Sequence, residues 1–284
     1  MFNPLIAALR LAGFLVVTLA MLPIYFSYAI GGRKAQVRVS AGYFRWVARV
    51  MGFRIRVWGQ PLTAGPALLV ANHVSYFDIV VLNSLLPAFF VAKSEVAGWP
   101  GLGFLARIAH TVFVDRKRGA TGRERDRLRQ RLREGDLLIL FPEGTSNDGN
   151  GVLPFKSAFF AVAERPAEES GPAVPVQPVS VAYTRLDGLP MQRAFRPFYA
   201  WYGDMTLTDH LFAAAGLGNP TIDIIFHRPV SIEEFKDRKA LANHCRDTVH
   251  HGVSLALAGR LPADGGLPPR SARPRTDSVR PNGG

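Results

Sequence analysis

The chain has 284 residues, 48% of them hydrophobic, and a formal charge of +12 from 34 Lys and Arg against 22 Asp and Glu. That supports one sizeable core plus an extra element, and a basic surface that prefers anionic partners: nucleic acid, lipid head groups or phosphate-bearing substrates. A single cysteine, Cys245, excludes an intramolecular disulfide and a cysteine-based metal cluster.

The N-terminus separates membrane from nucleic acid. Residues 11–30 contain no charge, and 15–22 are strongly apolar. About 20 residues at a 1.5 Å rise cover roughly 30 Å, the hydrocarbon thickness of a bilayer, and a kink at Pro23 is tolerated there. A signal peptide fits less well, because no small-residue cleavage site follows; a helix embedded without crossing stays open. The basic flank with Arg33, Lys34 and Arg38 puts the following region on the cytoplasmic side, whereas Arg10 opposes that assignment. Residues 37–53 interleave Tyr43, Phe44 and Trp46 with Arg45 and Arg49. They read equally as an interfacial amphipathic helix and as a surface helix with aromatics in the core. Residues 1–53 are therefore expected to form a membrane-anchoring helical segment.

Short apolar runs then recur at 55–58, 67–71, 88–92, 111–114, 137–141, 174–181 and 222–226. Helical segments lie between several of them, clearest at 122–134, which is polar except for a stripe of Leu128 and Leu132. The alternation predicts an α/β fold over 54–260, a mainly parallel or mixed sheet flanked by helices and preceded by N-terminal membrane-associated helices. Residues 233–258 read as a C-terminal helix whose His244, His250 and His251 are surface histidines rather than metal ligands. Residues 200–205, with Trp201 and Tyr202, read as a core-packed loop. Residues 261–284, rich in Pro, Gly and Arg, are expected to be a disordered tail.

In such sheets ligands bind beyond the carboxyl ends of strands. After the second run come Asn72, His73 and Asp78; after the third, Lys93 and Glu95; after the fourth, Asp115, Arg116, Lys117 and Arg118. After the fifth comes Phe141-Pro142-Glu143-Gly144-Thr145-Ser146. Ser75 can cap a helix that stops before Pro87. His73 at the strand end and Asp78 one turn into that helix can fold together, so that the carboxylate holds one ring nitrogen and leaves the other as a base. Taken alone, such a pair is more often a satisfied polar contact. In the later segment Pro142 ends the strand and Gly144 lets backbone approach a ligand. Thr145 and Ser146 offer hydroxyls and amides to an anion, Glu143 faces inward, and Lys156 near the next helix start adds positive charge.

These blocks resemble those of the glycerolipid acyltransferases, the bacterial lysophosphatidic acid acyltransferase superfamily. Asn72-His73-Val74-Ser75-Tyr76-Phe77-Asp78 is similar to the N-H-x4-D block, Phe113-Val114-Asp115-Arg116 to the second, Phe141–Thr145 to the third, and Val174-Pro175-Val176-Gln177-Pro178-Val179 to the fourth. The four occur in family order behind an apolar segment. The resemblance implies a bacterial inner-membrane enzyme, its site facing the cytoplasm, with His73 as general base oriented by Asp78. It implies transfer of an acyl chain from an acyl carrier protein or coenzyme A thioester to a lysolipid hydroxyl, with no metal or other cofactor. Asn72, Ser75, Arg116, Glu143, Gly144, Thr145, Ser146 and Lys156 would serve substrate binding. Neither a G-x-S-x-G elbow nor a cysteine near the blocks is present to act as nucleophile. One position departs from the family: Ser146 stands where arginine often follows the threonine, and an arginine fork is the natural phosphate ligand. The preferred acceptor is 1-acylglycerol-3-phosphate; the alternative is a lyso-ornithine lipid, which lacks a phosphomonoester. A non-catalytic lipid-binding protein is the reading from another class, and the intact His73–Asp78 pair argues against it. Nucleic acid is disfavoured, since no recognition helix or zinc spacing is visible.

Overall fold

The computed structural model describes residues 2–63, 65–99, 103, 106–107, 109–114, 122–164 and 173–262. Every apolar run becomes a strand: β1 Arg54–Trp58, β2 Ala67–Ala71, β3 Phe89–Lys93, β4 Val112–Val114, β5 Leu137–Leu140, β6 Val176–Leu186 and, after a short β7 Leu189–Pro190, β8 Pro220–Phe226. They form one sheet in the order β1-β8-β6-β2-β5-β3-β4, with β7 paired to β6. All neighbours are parallel except β6 with β8 and β6 with β7, so the sheet is mixed and mainly parallel. Central β2 and β5 are buried on both faces, which is why they read as unbroken apolar runs rather than as an alternation. Within β2, Leu68 and Val70 join the core on one face, and Ala67, Leu69 and Ala71 that on the other.

One face is covered by α1 Pro4–Ser27, α2 Gly32–Val50, α3 Phe77–Leu85 and α5 Leu207–Ala215, a helix not anticipated from the sequence. The other carries α4 Gly122–Arg133, α6 Arg238–Leu257 and a 3₁₀ turn at Ser157–Val162. The expected helix over 233–258 starts later, at Arg238, where Asp237 caps it by accepting the Ala240 N–H at 2.8 Å. The expected tail lies outside the described residues beyond Pro262.

Helix α1 begins sharply because Asn3 caps the N–H groups of Leu5 and Ile6 and Pro4 occupies its first turn. It runs along the domain rather than away from it. The Asn3 N–H donates to Gly216 O at 2.8 Å, and Thr18 meets the Tyr43 hydroxyl of α2 at 3.0 Å. Arg10 binds the carbonyls of Ala215, Leu217 and Gly218 and Asn219 Oδ1, at the negative end of α5. Its position thus answers to a helix C-terminus. Arg33 and Lys34 of the basic flank also bind protein groups, Glu134 and Asp136 for Arg33 and the Glu134 carbonyl for Lys34. Helix α2 buries Val37, Ala41, Val47 and Ala48 while leaving Trp46 55% exposed with Arg49 over its ring. Ala7, Val47 and Met51 share one core with β2 and α3, so the boundary at 53/54 marks a change of composition and not a break in packing.

Candidate active site

Strand β2 ends at Ala71, and the chain turns through 72–76 into α3. The Asp78 N–H donates to Ser75 O at 2.9 Å. In return the fully buried Asp78 carboxylate accepts the N–H groups of Val74 (2.7 Å) and Ser75 (3.0 Å) through Oδ2, at the positive end of the helix. The same Oδ2 lies 2.8 Å from His73 Nδ1, and Oδ1 accepts the Tyr183 hydroxyl at 3.0 Å. A carboxylate held by four donors cannot rotate, so it fixes the imidazole and leaves Nε2 for proton transfer. Phe141 stacks on the ring, with centroids 4.0 Å apart and planes 11° from parallel.

The segment after β5 closes round the back of this pair. Glu143, 2% exposed, accepts the His73 N–H at 3.2 Å through Oε1 and the Asn147 amide at 2.8 Å through Oε2. The Asn147 N–H donates to His73 O at 3.1 Å, so both backbone groups of His73 are bound to this loop. Burial pushes the Glu143 carboxyl up to about 8, against the opposing pull of its hydrogen bonds. Gly144 takes φ +77°, and a Cβ there would lie 2.5 Å from Lys156 Nζ, so the lysine packs directly on the glycine.

His73 opens onto a cavity of about 410 Å³ walled by Phe14, Met21 and Tyr25 of α1, Tyr43 and Val47 of α2, and Val80 of α3. Gly144, Thr145 and Ser146 reach it, as does Glu95, while Trp99 and Trp201 meet edge to face at its rim, centroids 5.3 Å apart. An immobilised imidazole beside a largely apolar cavity can take a proton from an alcohol whose alkyl chain lies in that cavity.

The remaining expected site residues are distributed as follows. Asn72 and Ser75 are fully buried and do not line the cavity. Asn72 exchanges hydrogen bonds with the Val181 backbone, Nδ2 donating to O at 2.9 Å and Oδ1 accepting N–H at 2.8 Å; Ser75 Oγ accepts the Phe77 N–H at 3.4 Å. In the structure Asn72 clamps β2 to β6, and Ser75 sits in the turn that leads into α3. Glu143 likewise binds protein groups and not the cavity. Lys156 is exposed behind Gly144. The Ser146 hydroxyl donates to Trp201 O. Arg116 lies outside the described residues.

Two groups went unrecognised in the sequence. Tyr183 is two residues beyond Val181 on the inward side of β6, so strand alternation alone aims it at the same face. Trp201, assigned to a core loop, is held over the site by its N–H to Val74 O at 3.0 Å; no local pattern marks it. A Ser180–His227 contact on the opposite face, 2.8 Å, is no second dyad. The Ser180 hydroxyl donates to Val249 O at 2.9 Å, and burial holds the imidazole down to about 4.

The chain is an acyltransferase: the Acyltransferase family model matches residues 54–182, and its relatives span most of its length. The lyso-ornithine lipid O-acyltransferase of Brucella abortus is 41% identical over 89% of this chain and 95% of its own length. That of Rhizobium meliloti is 38% identical over 76% and 77%. The 1-acyl-sn-glycerol-3-phosphate acyltransferase of Neisseria gonorrhoeae is 31% identical over 69% and 73%. In fold, the crystal structure of the 1-acyl-sn-glycerophosphate acyltransferase of Thermotoga maritima matches with a TM-score of 0.56 at 21% identity, covering 89% of this chain and 99% of that one. The chain belongs to the lysophosphatidic acid acyltransferase superfamily, in the branch of the lyso-ornithine lipid enzymes, and acts on lysolipids.

Proposed function

We propose that this protein O-acylates a lyso-ornithine lipid, using His73 Nε2 as general base. The observation that carries the reading is the His73 Nδ1–Asp78 Oδ2 contact of 2.8 Å at the mouth of an apolar cavity walled by α1. The lysolipid hydroxyl gives its proton to Nε2 as its oxygen attacks the thioester carbonyl carbon. The tetrahedral intermediate collapses, the C–S bond breaks, and the departing thiolate takes the proton back from the imidazolium. Asp78 stabilises that cation, and no covalent acyl-enzyme is formed. The amides of His73, Val74, Ser75 and Gly144 already donate within the protein. Those of Thr145 and Ser146, beside the cavity, are the donors we assign to the oxyanion.

Two observations favour the aminolipid over a phosphate-bearing acceptor. The first two relatives named above are called lyso-ornithine lipid enzymes. And Ser146 stands where a phosphate-binding arginine would, its hydroxyl already bonded to Trp201 O. The second reading, 1-acyl-sn-glycerol-3-phosphate, draws on the Neisseria relative and on Lys156 beside Gly144. Assaying both acceptors with one acyl donor separates them: turnover confined to the phosphate acceptor overturns the first. The donor is an acyl carrier protein or coenzyme A thioester.

The site works at a membrane. The outer face of α1 exposes Leu5, Leu9, Leu15, Val16 and Leu19 at 56–67%, far more apolar surface than a soluble monomer leaves bare. Because Asn3, Arg10 and Thr18 hold α1 along the domain, we assign it to one leaflet, lying in the interface rather than crossing. The bacterial inner membrane, with the active site on its cytoplasmic side, is the location we assign.

A further inference from the structure

We propose that Phe195 and Phe198, remote in sequence from α1, form a second membrane-inserting foot, on the segment that runs on to Trp201 and Tyr202 of the cavity wall. Both are half exposed, at 50% and 54%, with rings stacked 6.2 Å apart on a 3₁₀ turn at Arg196–Phe198. The turn is built and braced. The Tyr199 N–H donates to Arg196 O at 3.0 Å, and the Arg196 guanidinium binds Asn150 Oδ1 at 2.7 Å and Met191 O at 3.0 Å. Two phenylalanines that cover each other only in part and keep about half of their surface in water on a fixed turn point to a partner.

The partner is a lipid surface, because the patch continues one already facing lipid. The turn packs on α5. On α5, Phe212 is 43% exposed and touches the ring of Phe2 at 5.6 Å, and Phe2 leads directly into the exposed face of α1. Met205, on the same segment, is 37% exposed. The same segment presents Trp201, Tyr202 and Leu211 to the cavity on its inner side. Aromatic side chains outward, with the exposed Arg193 beside them, is the composition of an interfacial anchor. Anchored at this turn as well as along α1, the domain would be held with its cavity against the leaflet, so a lysolipid could enter by sliding from it without crossing water. This goes beyond acyl transfer itself and rests only on the reading of α1 as membrane-facing.

The test uses the full chain, whose only cysteine, Cys245, is fully buried and so spared by thiol labelling. Phe198→Cys, Leu9→Cys and Arg127→Cys (on α4, across the sheet) are each labelled with an environment-sensitive fluorophore. Each is mixed with phosphatidylethanolamine–phosphatidylglycerol vesicles carrying a shallow nitroxide on the acyl chain. Strong quenching at 198 and 9 but not at 127 is expected. Quenching at 9 alone overturns the second foot and leaves α1 as the membrane face; quenching at neither overturns both; equal quenching at all three overturns it as non-specific. The Phe195→Ser, Phe198→Ser double variant, checked for folding by circular dichroism, should partition onto vesicles roughly tenfold more weakly. Parent-like partition overturns the proposal.

Discussion

Tyr183 donates its hydroxyl to Asp78 Oδ1 at 3.0 Å, on the oxygen opposite the one that holds His73. Its ring is fully buried and stacks near Tyr199, and burial beside the carboxylate pushes the phenol well above its usual range, so it remains a donor. Tyr183→Phe removes that one donor and little volume. We expect turnover to fall about tenfold with KM for the lysolipid nearly unchanged, and stability to fall by about 1–2 kcal/mol. An unchanged kcat would show that Asp78 needs no support from β6.

His73→Ala should abolish nearly all acyl transfer, on the order of 10²–10⁴ in kcat, while leaving vesicle binding intact. Asp78→Asn should cost a comparable factor, because an amide neither holds the same tautomer nor balances the imidazolium. It also weakens the cap on α3, so its unfolding midpoint should drop where that of His73→Ala does not. Steady-state kinetics alongside thermal unfolding separate the two effects.

Glu143 links pH to stability. Its carboxyl titrates at about 8 in the folded chain against 4.5 for the free group. The folded state therefore holds a proton that the unfolded state has lost between those values, and stability falls as pH rises from 4.5 towards 8, then levels. Glu143→Gln should flatten that window in denaturant titrations. A variant with the parent's slope would assign the dependence to other groups.

Gly144 sits at φ +77° with Lys156 packed against it. Gly144→Ala meets a left-handed backbone penalty of about 1–2 kcal/mol and must displace the ammonium end of Lys156. Since the Glu143–Asn147 loop holds both backbone groups of His73, kcat should fall more than stability does. Comparing kcat with the unfolding midpoint tests this, and a proportionate loss of both would contradict it.

Arg10→Leu keeps α1 apolar but leaves the carbonyls of Ala215, Leu217 and Gly218 without their guanidinium. A loss of about 2 kcal/mol is expected, with faster proteolysis near the start of α1. Were Arg10 only a membrane-flank charge, neither would change.

Local chemistry was legible along the chain wherever both partners lay close in sequence. Seven strands announced themselves as apolar runs, most plainly β2 and β5, because a strand buried on both faces has no polar side to interrupt it. The His73–Asp78 pair was readable because a strand end and the first turn of the next helix lie five residues apart, and the turn between them leaves little choice of geometry. What only the tertiary structure decided are the contacts across more than a hundred residues: Asn72 spent on Val181, Tyr183 on Asp78, Trp201 on Val74, Arg10 on the end of α5. Each depends on which strand lies beside which, and on β8 running antiparallel next to β6. A side chain's sequence neighbours determine what it can bind. Only the packed sheet determines what is within reach, and so turns Asn72 and Ser75 from expected ligands into supports for the histidine between them.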